Sequence, residues 1–157
     1  VAGALCPQKL MQKMIKVLNL KEVTNAYGMT ETSPVSFQST GNDDFNKRIS
    51  TVGKVTPHIE AKIIDSNTGL TVPLGTRGEL CIRGYSVMKD YWNDLLNTRK
   101  TIDETRWLHT GDVAILDEDG YLNIVGRIKD MIIRGGENIY PKEIEEFLRG
   151  MNNVEDV

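Results

Sequence analysis

An α/β protein with a β-rich subdomain is the fold class this chain predicts, on two patterns. Short stretches of alternating apolar and polar residues, punctuated by Gly, Pro, Asn and Asp, run from about residue 51 to residue 126. That frequency of strands and turns is the mark of a small, partly closed β-unit. Helical periodicity flanks it on both sides, over residues 7–20 and again after Pro141.

Taken in order, residues 7–20 read as an amphipathic helix with Pro7 in its first turn, where a missing N–H costs nothing. Leu10, Met14 and Leu18 form its expected buried stripe, with Met11 and Ile15 on an adjoining one and Lys9, Lys13 and Lys16 opposite. Residues 21–26 read as a strand ending at Tyr27-Gly-Met-Thr-Glu31, and residues 33–37, SPVSF, follow. Residues 41–50 read as a polar loop without a motif. Strands are expected over 51–57, 60–65 and 79–83, with turns at 66–69 and 73–75. Residues 93–104 read as helix and connector.

Residues 110–141, TGDVAILDEDGYLNIVGRIKDMIIRGGENIYP, carry the densest pattern. Residues 112–116 and 121–125 alternate at period two around Asp117-Glu-Asp-Gly120, a hairpin turn. This turn is not a calcium loop, because Ile115 and Gly126 occupy positions that would need carboxylates. Residues 131–133 and 138–140 pair around Gly135-Gly136. Asp112 opens the unit, Arg127 closes its first hairpin and a diglycine follows, a set suited to a polar, phosphate-bearing ligand. A solvated hairpin with ordinary surface charges is the plainer reading of the local pattern. Beyond it, Pro141 and Glu143, Glu145 and Glu146 open a helix whose expected buried side is Ile144, Phe147 and Leu148, stopped by Gly150.

Composition narrows the function classes. The 157 residues are 39% hydrophobic and 26% charged, with net charge −3; this excludes a disordered chain and argues against electrostatic binding of nucleic acid. No apolar run is long enough to span a bilayer. Cys6 and Cys81 form no Cys-x-x-Cys, and His58 and His109 have no third ligand at metal-site spacing, so neither a disulfide framework nor a zinc site is expected. With no Asn-x-Ser/Thr site either, an intracellular setting is favoured. No P-loop or Gly-x-Gly-x-x-Gly occurs. The absence of an initiating Met and the stop at residues 153–157 read as an interior piece of a longer protein.

Taken together, TGD, GRIKD and RGGENIYP, with YGMTE at 27–31 and GELCIRG at 78–84, resemble the adenylate-forming superfamily. That superfamily comprises acyl-CoA synthetases, luciferases and the adenylation domains of peptide synthetases. CIRGYSVM, GGENIYP and SPVSF bring the likeness nearest to acyl-CoA synthetases, particularly the mitochondrial medium-chain fatty-acid type. One departure stands out: Asp90 occupies a position where the family has Gly, and Asp tolerates left-handed backbone well enough to keep a turn.

The resemblance implies the C-terminal part of a large AMP-binding domain over residues 1–128 and the start of a small α+β domain over 129–157. It implies the two-step reaction of a fatty acid–CoA ligase: a carboxylate attacks the α-phosphorus of ATP to give acyl-adenylate and pyrophosphate, and the CoA thiol then displaces AMP. Gly3 and Ala4 would lie against the adenine, Tyr27 would face it with Gly28 beside, and Ile124 would line the nucleotide site. Thr30 would meet the α-phosphate and Glu31 the Mg²⁺. Asp112 would accept from both ribose hydroxyls and Arg127 would close on the same ribose. Lys129 would be the hinge, and Gly135 and Gly136 would line the tunnel for CoA. The family's triphosphate loop and catalytic lysine would fall outside this stretch, before and after it, so the chain alone is expected to be inactive. The mitochondrial matrix is implied by resemblance only. A luciferase-like enzyme, a peptide-synthetase adenylation domain and a non-catalytic nucleotide-binding homologue stay open as alternatives.

Overall fold

The computed structural model describes residues 2, 8–151, 153, 154 and 157. Helix α1 (Gln8–Val17) is amphipathic as expected, but its buried stripe is displaced. Met11 is fully buried and Met14 and Ile15 half-buried, whereas Leu10 and Leu18 are 48% and 60% exposed. The adjoining stripe wins because the unbranched Met side chains fill the space where the helix meets its neighbour.

The first strand is also displaced. β1 (Ala26–Gly28) contains the aromatic residue and the glycine, where a strand over 21–26 was expected. It pairs antiparallel with β2 (Val35–Gln38) across a 3₁₀ turn at Thr30–Thr32. Thr32 stabilises that turn, its buried hydroxyl bonding the main chain of Met29 and Pro34. Gly28 is dictated by the close return: a Cβ there would lie 1.5 Å from the Pro34 carbonyl oxygen.

Residues 41–50 are not a plain loop, since they contain helix α2 (Phe45–Ser50). Asp44 caps it, accepting from the Asn46 N–H at 2.8 Å, and Ile49 anchors it in the core. Six residues are too few for a helical period to be legible.

β3 (Lys54–Val55) completes a three-stranded sheet, ordered β1-β2-β3. β4 (Ile59–Ile64), β5 (Arg77–Gly84), β6 (Leu108–Leu116) and β7 (Leu122–Arg127) form a four-stranded antiparallel sheet in chain order. The sheets are stitched together where Val52 N–H donates to the Leu122 carbonyl at 2.9 Å and Leu122 N–H to that of Gly53 at 3.0 Å. Ile59, Ile63, Leu80, Ile82, Ala114, Leu122 and Ile124 meet Phe37 and Val52 in one core. Each of these side chains larger than Ala114 contributes roughly 1.5–3 kcal/mol by leaving water.

Helix α3 (Leu95–Thr101) lies between β5 and β6 and is capped by Asp94. Left-handed backbone in the approach to it falls on Asn93, at φ 53°, and not on Asp90 as expected. The family's glycine position therefore needs no glycine geometry here.

After β7 a 3₁₀ turn at Ile128–Asp130 leads into a hairpin, β8 (Ile132–Arg134) and β9 (Glu137–Ile139), and then helix α4 (Pro141–Arg149). Gly135 and Gly136 make the two-residue turn at φ 63° and 86°. The expected buried side of α4 is not buried: Ile144 is 48% and Phe147 68% exposed. The helix meets β7 through Lys142, whose amine donates to the Ile124 carbonyl, and Tyr140 ahead of it is the anchor, packed with Val113 and Val125. Among the described residues no apolar layer covers Ile144 and Phe147. No helix among them is long and apolar enough to cross a membrane.

Candidate functional site

The β6–β7 register sets Arg127 opposite Asp112, so the hairpin itself presents the guanidinium to the carboxylate. Arg127 Nε donates to Asp112 Oδ1 at 3.1 Å. From the other sheet Tyr27 reaches across, its hydroxyl donating to Asp112 Oδ2 at 2.6 Å. Asp112 is 6% exposed, yet both its oxygens have charged or polar partners. Burial, then the charge and hydrogen bond of Asp112, push the Tyr27 hydroxyl well above the usual tyrosine range, so it remains a donor. The Tyr27 ring packs edge-on to Phe37 at 6.5 Å.

The turn before Asp112 is equally constrained. Gly111 sits at φ 70°, and its N–H donates to Glu79 Oε1 at 3.1 Å. Thr110 Oγ1 donates to the Leu80 carbonyl and accepts from the Asp112 N–H. Thus Thr110, Gly111 and Asp112 form a unit that aims one carboxylate.

Two grooves meet along β1 and Arg127. The first, of about 430 Å³, is lined by Tyr27, Gly28, Asp112, Ile124 and Arg127, with α4 on its far side. The second, more open and about 1050 Å³, is lined by Tyr27, Gly28, Thr30, Glu31, Arg127 and Lys129. Eight of the residues singled out from sequence therefore lie on one continuous surface. Gly135 and Gly136 line neither groove but stand at the exposed hairpin tip, where a Cβ would meet nothing within 4 Å. Gly3 and Ala4 lie outside the described residues.

Three features of the site were not read from sequence. Tyr91 donates to Glu31 Oε1 at 2.8 Å, fixing that carboxylate from 60 residues away. Burial first, and this bond second, raise the Tyr91 hydroxyl above its ordinary range. Lys142, from α4, donates to the Ile124 carbonyl at the rim of the first groove. Desolvation pulls its amine below the usual lysine range, against the opposing pull of Glu146 at 3.7 Å. Finally, the sheet register brings Glu79 and Cys81 around His109, which sequence spacing did not suggest. Burial, with Glu79 adding to it, pushes the Cys81 thiol up to about 12.

Comparison with known proteins shows the family of the chain. A family profile described as "AMP-binding enzyme" matches residues 1–92. The putative acyl-CoA synthetase YngI of Bacillus subtilis (strain 168) is 52% identical over 157 residues, which is 100% of this chain and 29% of the relative. The mitochondrial medium-chain acyl-CoA ligase ACSF2 of Danio rerio is 54% identical over 147 residues, 94% of this chain and 24% of the relative. Among solved structures, ATP-bound MatB from Rhodopseudomonas palustris superimposes with a TM-score of 0.90 at 32% identity, covering 99% of this chain and 30% of that one. The apo form of the same protein gives 0.81, at 32% identity over 96% and 29%. The chain spans less than a third of the length of these relatives. It belongs to the AMP-binding enzyme family.

Proposed function

We propose that this chain is the part of an ATP-dependent acyl-CoA ligase that holds the adenosine and the metal-bound α-phosphate, and that the whole protein activates a medium-chain carboxylic acid. The observation that carries the reading is the pre-aimed Asp112 carboxylate, held by Tyr27 and Arg127 beside the groove of Thr30 and Glu31. In the first half-reaction the substrate carboxylate attacks the α-phosphorus and pyrophosphate leaves. In the second, the CoA thiol attacks the acyl carbonyl and AMP leaves.

Each residue has a role under this reading. Asp112 keeps an unused lone pair on each oxygen, enough to accept from the 2′ and 3′ hydroxyls of ribose. Arg127 closes on the same sugar as a fixed planar donor. Tyr27, flanked by Gly28, borders the adenine, and Ile124 supplies an apolar wall. Thr30 donates to the α-phosphate. Glu31 fits a Mg²⁺ ion: it is half-exposed, one oxygen is held by Tyr91, and the other is a hard ligand for the cation. Bound Mg²⁺ would neutralise phosphate charge as it builds up at the reacting centre. Gly135 and Gly136 leave the hairpin tip free of side chains for the pantetheine arm of CoA.

The division of labour follows. Residues 1–128 would belong to a large domain and 129–157 to the start of a small one, hinged at Lys129 in the 3₁₀ turn. An intracellular compartment supplying ATP and CoA fits the reading, and a mitochondrial one is suggested by the name of the zebrafish relative.

Carboxylate-dependent exchange of pyrophosphate into ATP tests the proposal. The full-length protein should catalyse it with octanoate and make octanoyl-CoA once CoA is added. ATP binding with no exchange across acids of any chain length would instead mark a non-catalytic homologue.

A further inference from the structure

We propose that Glu79, Cys81 and His109 form a binding site for a thiophilic divalent cation of the zinc type, laid across β5 and β6. Cys81 and His109 are directly paired in the ladder, and Glu79 lies two residues before Cys81 at a register irregularity that re-aims its side chain. His109 Nδ1 is 3.1 Å from Glu79 Oε2 and 3.7 Å from Cys81 Sγ. All three ligand atoms lie within 4.8 Å of one another. A tetrahedral Zn²⁺ with bonds of ~2.0–2.3 Å separates its ligand atoms by roughly 3.3–3.7 Å, so small side-chain rotations complete the site.

Two further features point the same way. The other ring nitrogen of His109, Nε2, faces Asp103 Oδ2 at 3.8 Å, outside hydrogen-bond distance but close enough that a small rotation would let that carboxylate orient a metal-bound imidazole. Glu79 Oε1 is held by the Gly111 N–H, which aims the second oxygen at the cluster. Thiolate, imidazole and carboxylate together select zinc over magnesium. Glu79 and His109 also line the open groove, which leaves a fourth coordination position for water. Binding forms the metal–sulfur bond and releases the thiol proton to solvent, with no change of oxidation state. The site is distinct from Glu31 and does not depend on the ligase reading, since neither ATP nor an acyl group takes part.

Cobalt is the spectroscopic probe. In the 157-residue chain carrying Cys6→Ser, Cys81 is the remaining thiol. Titration with Co²⁺ should give one bound ion per chain, a thiolate-to-cobalt charge-transfer band and the strong visible absorption of a tetrahedral site. Equimolar Zn²⁺ should bleach both, and a large excess of Mg²⁺ should not. Added to the same background, His109→Ala should weaken binding about tenfold or more, while His58→Ala should leave it unchanged. Absence of the charge-transfer band in the Cys6→Ser chain overturns the proposal, as does a band that His109→Ala leaves intact or that Mg²⁺ removes. If His109→Ala does not fold, the Cys6→Ser titration decides alone.

Discussion

The hydroxyl of Tyr27 donates to Asp112 Oδ2 at 2.6 Å across a chain separation of 85 residues, joining the three-stranded sheet to the four-stranded one. The bond makes Asp112 a shared element of fold and site. The same carboxylate that tethers two sheets is the one we propose to receive a ribose.

Removing the tether should therefore destabilise the protein. Tyr27→Phe keeps the ring and its contact with Phe37 but leaves Asp112 Oδ2 buried without that donor. A loss of ~1–3 kcal/mol is expected in equilibrium urea unfolding, with an unchanged slope. A midpoint identical to that of the parent would show the bond to be dispensable.

Glycines at two places in the chain should tolerate a side chain to different degrees. A Cβ at Gly28 would collide with backbone, 1.5 Å from the Pro34 oxygen, and no side-chain rotation relieves it. Gly28→Ala should exceed the ~1–3 kcal/mol typical of overpacking. At Gly135 the left-handed φ of 63° is the sole obstacle, and Gly135→Ala should cost only ~1–2 kcal/mol. Thermal melts in which the two variants lose equally would contradict this.

In metal-free protein, kept so with a chelator, the buried thiol predicts a pH dependence. Cys81 is held up to about 12 in the folded chain, against about 8.5 when unfolded. Between these values the unfolded state has released a proton that the folded state keeps, so stability falls as pH rises, by up to ~1.4 kcal/mol per pH unit. Tyr27 acts in the same direction above about pH 10, and Lys142, shifted downward, in the opposite one. Subtracting the Cys81→Ser curve isolates the thiol: the variant should lose the downward slope that begins near pH 8.5. Parallel curves for the two proteins would rule out a raised thiol.

Much of the site was legible because it is local. Asp112 and Arg127 are ends of one hairpin, and the turn at Asp117–Gly120 announces that hairpin in its residue types. The Gly135-Gly136 hairpin was legible for the same reason. What escaped depends on packing between distant segments. Nothing near Glu31 names Tyr91 as its partner, and the Glu79–Cys81–His109 group exists only through strand register. α2 was hidden by its six-residue length, although Asp44 was a visible cap. On α1 and α4 the amphipathic pattern was right, but which stripe is covered depends on neighbours: Met11 found one, and Ile144 and Phe147 did not.

The central claim is that Asp112 accepts hydrogen bonds from the ribose hydroxyls, and a ligand-matched binding measurement tests it most directly. Because Asp112→Asn also disturbs the Tyr27 tether, ATP affinity alone would mix structure with recognition. The full-length protein and its Asp112→Asn variant should instead be titrated calorimetrically with ATP and with 2′,3′-dideoxy-ATP, in Mg²⁺. Loss of hydrogen bonds to a charged group should weaken ATP binding by ~1.5–3 kcal/mol, roughly ten- to a hundredfold. The dideoxy nucleotide, which has no hydroxyls to offer, should bind parent and variant with nearly the same affinity. An equal loss for both nucleotides would contradict the account and leave Asp112 a structural residue.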